Sequence, residues 1–183
     1  DAVLSEALAD ELVQDAVISQ SLAQFEQLWA LRENISAAQS HEGKNIKHDI
    51  SVPISRIGEF IEAASRQIRQ AYPDAQLIVF GHLGDGNLHF NVAPHAVFAQ
   101  HYDEAFARDE AQVNRLVHDL VAAYEGAISA EHGIGVLRQA ELVRYKQPLE
   151  LQMMRAIKQA LDPHDRMNPG KLLPTPYTRT PYH

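Results

Sequence analysis

The chain has 183 residues, enough for one domain with a substantial core and short for two. Hydrophobic residues make up 45% and charged residues 22%, with a net charge of -8, which argues against a disordered chain and against a general nucleic-acid surface. Cysteine is absent, which excludes disulfide scaffolds, thiolate metal sites, Fe–S clusters and cysteine nucleophiles, and no apolar run is long enough to span a membrane.

From Ala2 to about Ala38, apolar residues recur at helical spacing (Leu4, Leu8 and Leu12, then Phe25, Leu28 and Trp29), predicting two helices with a break near Ser19–Ser21. The segment from His41 to Asn45 reads as a polar loop. Lys47 to Pro53 reads as a short extended segment closed by proline. Ser55 is the expected N-cap of a helix with Ile57, Phe60, Ile61, Ala64 and Ile68 on one face, stopped at Tyr72-Pro-Asp74.

Leu77–His82 and Leu88–Val92 read as strands around the turn sequence Gly84-Asp-Gly-Asn87. Pairing Leu83 with Leu88 gathers Leu77, Val79, Gly81, Leu83, Leu88, Phe90 and Val92 on one apolar face. The other face carries Gln76, Ile78, Phe80 and His82 with His89 and Asn91. In that register His82 falls opposite His89, with Cβ atoms ~4.5–5.5 Å apart.

Asp103 to Glu125 predicts a helix burying Phe106, Val113, Leu116, Val117, Leu120, Val121 and Tyr124, with Gly126 as its C-terminal cap. Ala127–Ala130 reads as a short buried strand delivering Glu131 and His132. Leu137–Tyr145 and Pro148–Leu161 predict two further helices, and Thr175–His183 an exposed tail. Few strands among many helices, not in regular alternation, give an α+β fold with helices packed on a small antiparallel sheet.

His82 and His89 on adjacent strands, with Glu131 at the end of another segment, make a plausible set of ligands for a divalent metal that leaves coordination positions open. His132, beside Glu131, has the chemistry of a general base. On spacing alone, the histidines read more readily as the polar end of a sheet, and Arg32 and Lys47 as a solvated charged face.

Three separated motifs narrow this reading: Gly81-His-Leu-Gly-Asp-Gly-Asn-Leu-His89, Ser129-Ala-Glu-His-Gly-Ile-Gly135 and Asn168-Pro-Gly-Lys171. With Trp29-Ala-Leu-Arg-Glu-Asn-Ile-Ser36 and Lys47-His-Asp-Ile-Ser-Val-Pro53, they resemble the C-terminal part of FAD-linked oxidases of the vanillyl-alcohol-oxidase type. That group includes D-lactate, glycolate and D-2-hydroxyglutarate dehydrogenases, and Phe90-Asn91 tilts the likeness toward the last of these. The resemblance implies a ferredoxin-like cap domain over residues 1–174, with a C-terminal helical segment and residues 175–183 as a tail.

The resemblance also implies roles. His82, His89 and Glu131 are expected to bind zinc or manganese, and His132 to be the catalytic base. Arg32, Ser36, Lys47 and Asn91 are expected to contact carboxylate or hydroxyl oxygens of a small 2-hydroxy acid. Ser36 stands where that branch is expected to carry threonine, and keeps the hydroxyl. Asn168 is a candidate contact to the cofactor, FAD. FAD is expected to be held chiefly by a separate FAD-binding domain of the same parent protein, so the chain alone is expected to bind no FAD tightly and to turn nothing over. A second copy of the chain is a further expected partner, through sheet edges or apolar surface left uncovered. Absence of cysteine and of a targeting segment points to the cytoplasm. The rival readings are a zinc-dependent hydrolase using His82, His89, Glu131 and His132, and a non-catalytic assembly domain.

Overall fold

The structure, a computed structural model, describes residues 2–95, 99–101 and 103–174, so the expected tail at 175–183 lies outside the described residues. The chain divides into two compact units, Asp1–Gly43 and Lys44–His183.

The first unit holds helices α1 (Ala2–Ala9), α2 (Leu22–Glu33) and α3 (Ile35–Glu42). α2 starts where Ser21 accepts the Gln24 N–H on its Oγ at 3.2 Å, an N-cap. The break after α1 comes earlier and runs longer than the periodicity predicts. Leu12 and Val13 both turn their N–H groups back to the Ala7 carbonyl, and Glu11 takes a positive φ of 55°. α3 also extends through His41 and Glu42, where a loop is expected, and stops at Gly43 with φ 135°. Among the described residues, none of these helices buries an apolar side chain.

The second unit is built on a three-stranded antiparallel sheet in the order β1-β3-β2, with β1 Asp49–Ser51, β2 Gln76–His82 and β3 Asn87–Ala93. One face carries Ile50, Leu88, Phe90 and Val92 and is covered by α4 (Ile57–Ala71) and α5 (Glu104–Ala123). Phe60 of α4 meets Phe90 edge-on at 6.1 Å and Tyr124 at 5.5 Å, and all three are buried. Burial of such side chains stabilises the fold by roughly 1.5–3 kcal/mol each. α6 (Gln139–Tyr145) and α7 (Pro148–Leu161) follow, α7 opening with proline and a capping box between Gln147 and Glu150. The fold is therefore α+β, as the sequence predicts.

Four local expectations change. The hairpin pairs His82 with Asn87 and Phe80 with His89, two residues away from the predicted register. The loop is Leu83–Gly86: Asp85 accepts the Asn87 N–H at 3.0 Å, and Gly86 takes φ 76°, so Asn87 enters the strand instead of the turn. Because strand side chains alternate with period two, a two-residue slip preserves both faces. His82 thus lies diagonal to His89 and not opposite it.

Ser55 is not a helix cap. It sits inside a 3₁₀ turn, Ile54–Arg56, tightened by the Arg56 N–H on the Pro53 carbonyl, and α4 begins one residue later. Ala127–Ala130 makes only an isolated antiparallel bridge, Ala127 with Ser51, because the Ala130 N–H turns to Asp49. At the end of α5 the residue with positive φ is Glu125, at 59°, and not Gly126.

Candidate functional site

The sheet face away from α4 and α5 carries polar residues in rows set by strand pairing. Asp49, His89 and Phe80 form one row and Ser51, Asn87 and His82 the next. After the Ala127 bridge the chain crosses over this face and presents Glu131 and His132. That crossing is fixed by Asp49. Its Oδ2 accepts the backbone N–H groups of Ala130, Glu131 and His132 at 3.2, 2.9 and 2.8 Å. Three successive N–H groups converging on one oxygen make an anion-binding nest, here filled by a side chain.

The side chains then meet. His89 Nε2 lies 3.7 Å from Glu131 Oε2, and His82 Nε2 lies 3.8 Å from Glu131 Oε1. His132 Nδ1 lies 3.8 Å from Asp49 Oδ2, and the His89 and His132 rings are 5.9 Å apart. Asp49, His89 and Glu131 each offer one donor atom within 4.8 Å of the others. The site grades from closed to open: the Asp49 side chain is 4% exposed, His89 15% and Glu131 47%. Burial works against the charge on Asp49. The His132, Glu131 and Ala130 N–H bonds and the nearby His132 outweigh it and hold the carboxyl below its ordinary range.

The structure thus brings His82, His89, Glu131 and His132 into one cluster. Asn91 lies one pleat further along β3, buried, with its Oδ1 accepting the His48 N–H at 3.3 Å. Lys47 is exposed two residues before Asp49, and its carbonyl accepts from Arg138 Nη2 at 2.9 Å. Arg32 on α2 and Ser36 on α3 belong to the first unit. Asn168 is exposed with φ 49°, in a turn where its carbonyl accepts the Lys171 N–H.

Two residues of the site are absent from the sequence reading, Asp49 and Asn87. Asp49 sits in the quoted Lys47–Pro53 motif, and its signal is a carboxylate next to Ile50 in a segment that reads as extended. Asn87 is hidden by its turn-like neighbours, although both of its side-chain polar atoms are buried without a hydrogen-bond partner among the described residues.

The donor set of Asp49, His89 and Glu131, with the His82 imidazole beside Glu131, suits zinc or manganese, and a buried carboxylate oxygen of Asp49 with no hydrogen-bond partner among the described residues is one that a cation would satisfy. Residues 2–172 match the family model described as FAD linked oxidases, C-terminal domain. The chain belongs to that family.

Curated relatives of this FAD linked oxidase domain include D-2-hydroxyglutarate dehydrogenases from Xanthomonas citri pv. viticola (44% identical over 163 residues) and Stutzerimonas stutzeri (41% over 160). The matches cover 89% and 87% of the chain, but 34% of each relative. A bovine relative, named as a mitochondrial D-2-hydroxyglutarate dehydrogenase, is 36% identical over 94% of the chain and 30% of its own length. The chain therefore spans about a third of the relatives it matches. Membership of the family does not place it in the cytoplasm, given the mitochondrial relative. No helix among the described residues is long and apolar enough to cross a membrane.

Proposed function

We propose that this chain is the substrate-side part of an FAD-dependent dehydrogenase that oxidises a D-2-hydroxy acid, of the 2-hydroxyglutarate kind, to the 2-oxo acid. The observation that carries the reading is the convergence of His89, Glu131 and Asp49 beside His132, in a chain of this family. The names of the relatives support 2-hydroxyglutarate over lactate or glycolate.

His82, His89 and Glu131 would hold the divalent cation, and Asn168 is assigned to the flavin side. When bound, FAD supplies the acceptor for hydride from C2, and the cation supplies Lewis-acid polarisation of the 2-hydroxyl and carboxylate oxygens. His132 accepts the hydroxyl proton. Its Nδ1 is turned toward Asp49, which leaves Nε2 for the substrate and keeps the ring oriented. Arg32 and Lys47 neutralise the substrate carboxylates, one as a planar fork and the other as a point charge, with Ser36 and Asn91 donating hydrogen bonds. Local positive charge of this kind is required because a chain at -8 repels a dianion. The exposed apolar residues of the first unit, Leu22, Leu31 and Trp29 among them, support association with further protein, a second copy or the FAD-binding domain.

The test is turnover by the flavoprotein that contains this chain, against D-2-hydroxyglutarate, D-lactate and glycolate. D-2-hydroxyglutarate is expected to reduce the flavin fastest. His132→Ala is expected to lower kcat by about 10²–10⁴-fold with flavin still bound. Activity that survives both chelation and His132→Ala would remove the reading.

A further inference from the structure

Asp49 has a second oxygen that the nest does not use. Oδ2 takes all three backbone N–H groups, whereas Oδ1 is buried and has no hydrogen-bond partner among the described residues. A buried carboxylate oxygen left bare is costly, and one oxygen suffices to hold the turn at Glu131 and His132. An asparagine would hold that turn without burying a charge. The place of this carboxylate in the fold gives it another use: Asp49 pairs with His89 across β1 and β3, and one of its carboxylate oxygens lies within 4.8 Å of a donor atom of His89 and of Glu131.

We infer that Asp49 supplies, through Oδ1, a further protein ligand to the divalent cation assigned to His82, His89 and Glu131. The inference rests on the reading that the cluster holds a cation. It has a consequence for charge. With Glu131 alone, a filled site keeps one positive charge to spend on the substrate; with Asp49 as well, it is neutral. The two negative charges of a dicarboxylate then fall wholly to groups such as Arg32 and Lys47. Two hard carboxylate oxygens also move the donor set toward Mn²⁺ from a zinc site of two histidines and one glutamate.

The test is titration of the purified, metal-stripped chain with Mn²⁺ and with Zn²⁺, for wild type, Asp49→Asn and Glu131→Gln. Asp49→Asn keeps an oxygen for the three N–H groups and removes the charge. It is expected to weaken Mn²⁺ binding by at least about ten-fold, comparably to Glu131→Gln, while the unfolding midpoint of the metal-free chain stays put or rises. A merely structural role would move the midpoint and leave the affinity of the folded protein alone. Asp49→Asn binding Mn²⁺ within about three-fold of wild type overturns the inference and leaves the cation reading standing. Wild type that binds neither ion overturns both. Should Asp49→Asn fail to fold, the Asp49 side-chain carboxyl ¹³C resonance of the wild type decides: it is expected to move with the His89 ring as Zn²⁺ is added, and a resonance that stays still counts against the ligand.

Discussion

Glu125 and Gly126 share the end of α5 in a way that separates two demands usually met by one glycine. The Gly126 N–H bonds to the Val121 carbonyl at 2.9 Å and the Glu125 N–H to Ala122 at 3.0 Å, the pair of bonds that defines a Schellman end. The left-handed position in that motif is Glu125, at φ 59°. Gly126 is needed for room: a Cβ there would run into the Ser51 carbonyl oxygen and press on Val121 and Val52. Glu125→Gly is therefore expected to stabilise the chain by about 0.5–1 kcal/mol, and Gly126→Ala to destabilise it by about 1–3 kcal/mol, both read from urea unfolding midpoints. A lower midpoint for Glu125→Gly, or an unchanged one for Gly126→Ala, would contradict the assignment. Sequence reasoning found the cap and put it one residue late, because glycine at a helix end signals permissive φ and close approach alike. Asp49 escaped for a related reason: one letter in a strand does not reveal which backbone groups will reach it across 81–83 residues.

The elements around the site are tied by a buried polar chain that no periodicity announces. His118, on α5 and 1% exposed, lies with Nδ1 2.9 Å from Glu141 Oε2 of α6 and Nε2 2.9 Å from Arg138 Nη1. The same guanidinium donates to the Lys47 and Ile128 carbonyls, so it fastens both segments that lead into the site. These partners set the tautomer: Nδ1–H donates to Glu141, and Nε2 accepts from Arg138. Protonation would place a new N–H against the Arg138 donor. Burial first, then the charges of Arg138 and Arg115, lower the pKa of His118, with Glu141 only partly opposing. His48, whose ring stands 5.5 Å from that of His118, is pulled down to about 3 by burial, then by His118.

Both histidines are neutral in the fold and take protons when it unfolds, so the stability they contribute is present above about pH 6.5 and lost as pH falls below it. Each adds a slope of up to about 1.4 kcal/mol per pH unit. Urea midpoints measured from pH 7.5 down to pH 5 are expected to fall, and in His118→Asn to fall about half as steeply. A slope unchanged by the substitution would show that His118 is not held neutral. The hydrophobic stripe of α5 was legible because it repeats at helical spacing. His118 was not, since a histidine between Val117 and Leu120 looks the same whether it packs, titrates or bonds.

At the scale of the molecule, the two units differ in what holds them. The second has a core reaching from Ile46 to Ile128 and centred on Phe60 and Phe90, both fully buried. Strand alternation and helix periodicity made that core readable, and the face assignment survived a wrong register because the error was an even number of residues. The same periodicity misled over the first unit. It marks Phe25, Leu28 and Trp29 of α2 as a stripe to be buried, yet they are 48%, 41% and 49% exposed, and Leu22 and Leu31 more than 70%.

A stripe is a requirement for a partner surface and does not say which surface meets it. With the Ser21 cap and an edge contact between Phe25 and Trp29 at 6.2 Å as its local support, a helix of 12 residues is marginal in water. Hydrogen exchange of the isolated chain at low concentration is therefore expected to show α1–α3 amides opening by local fraying, while those of Phe90, Val117 and Val121 exchange only through global unfolding. Trp29, the single tryptophan, is expected to fluoresce as a solvent-exposed indole. If a second copy covers the stripe, α2 protection and a blue shift of Trp29 should rise together with protein concentration, in step with the mass seen by sedimentation. Protection of α2 equal to that of Val117 in a dilute monomer would mean that the chain already supplies the missing surface, and that these residues are core after all.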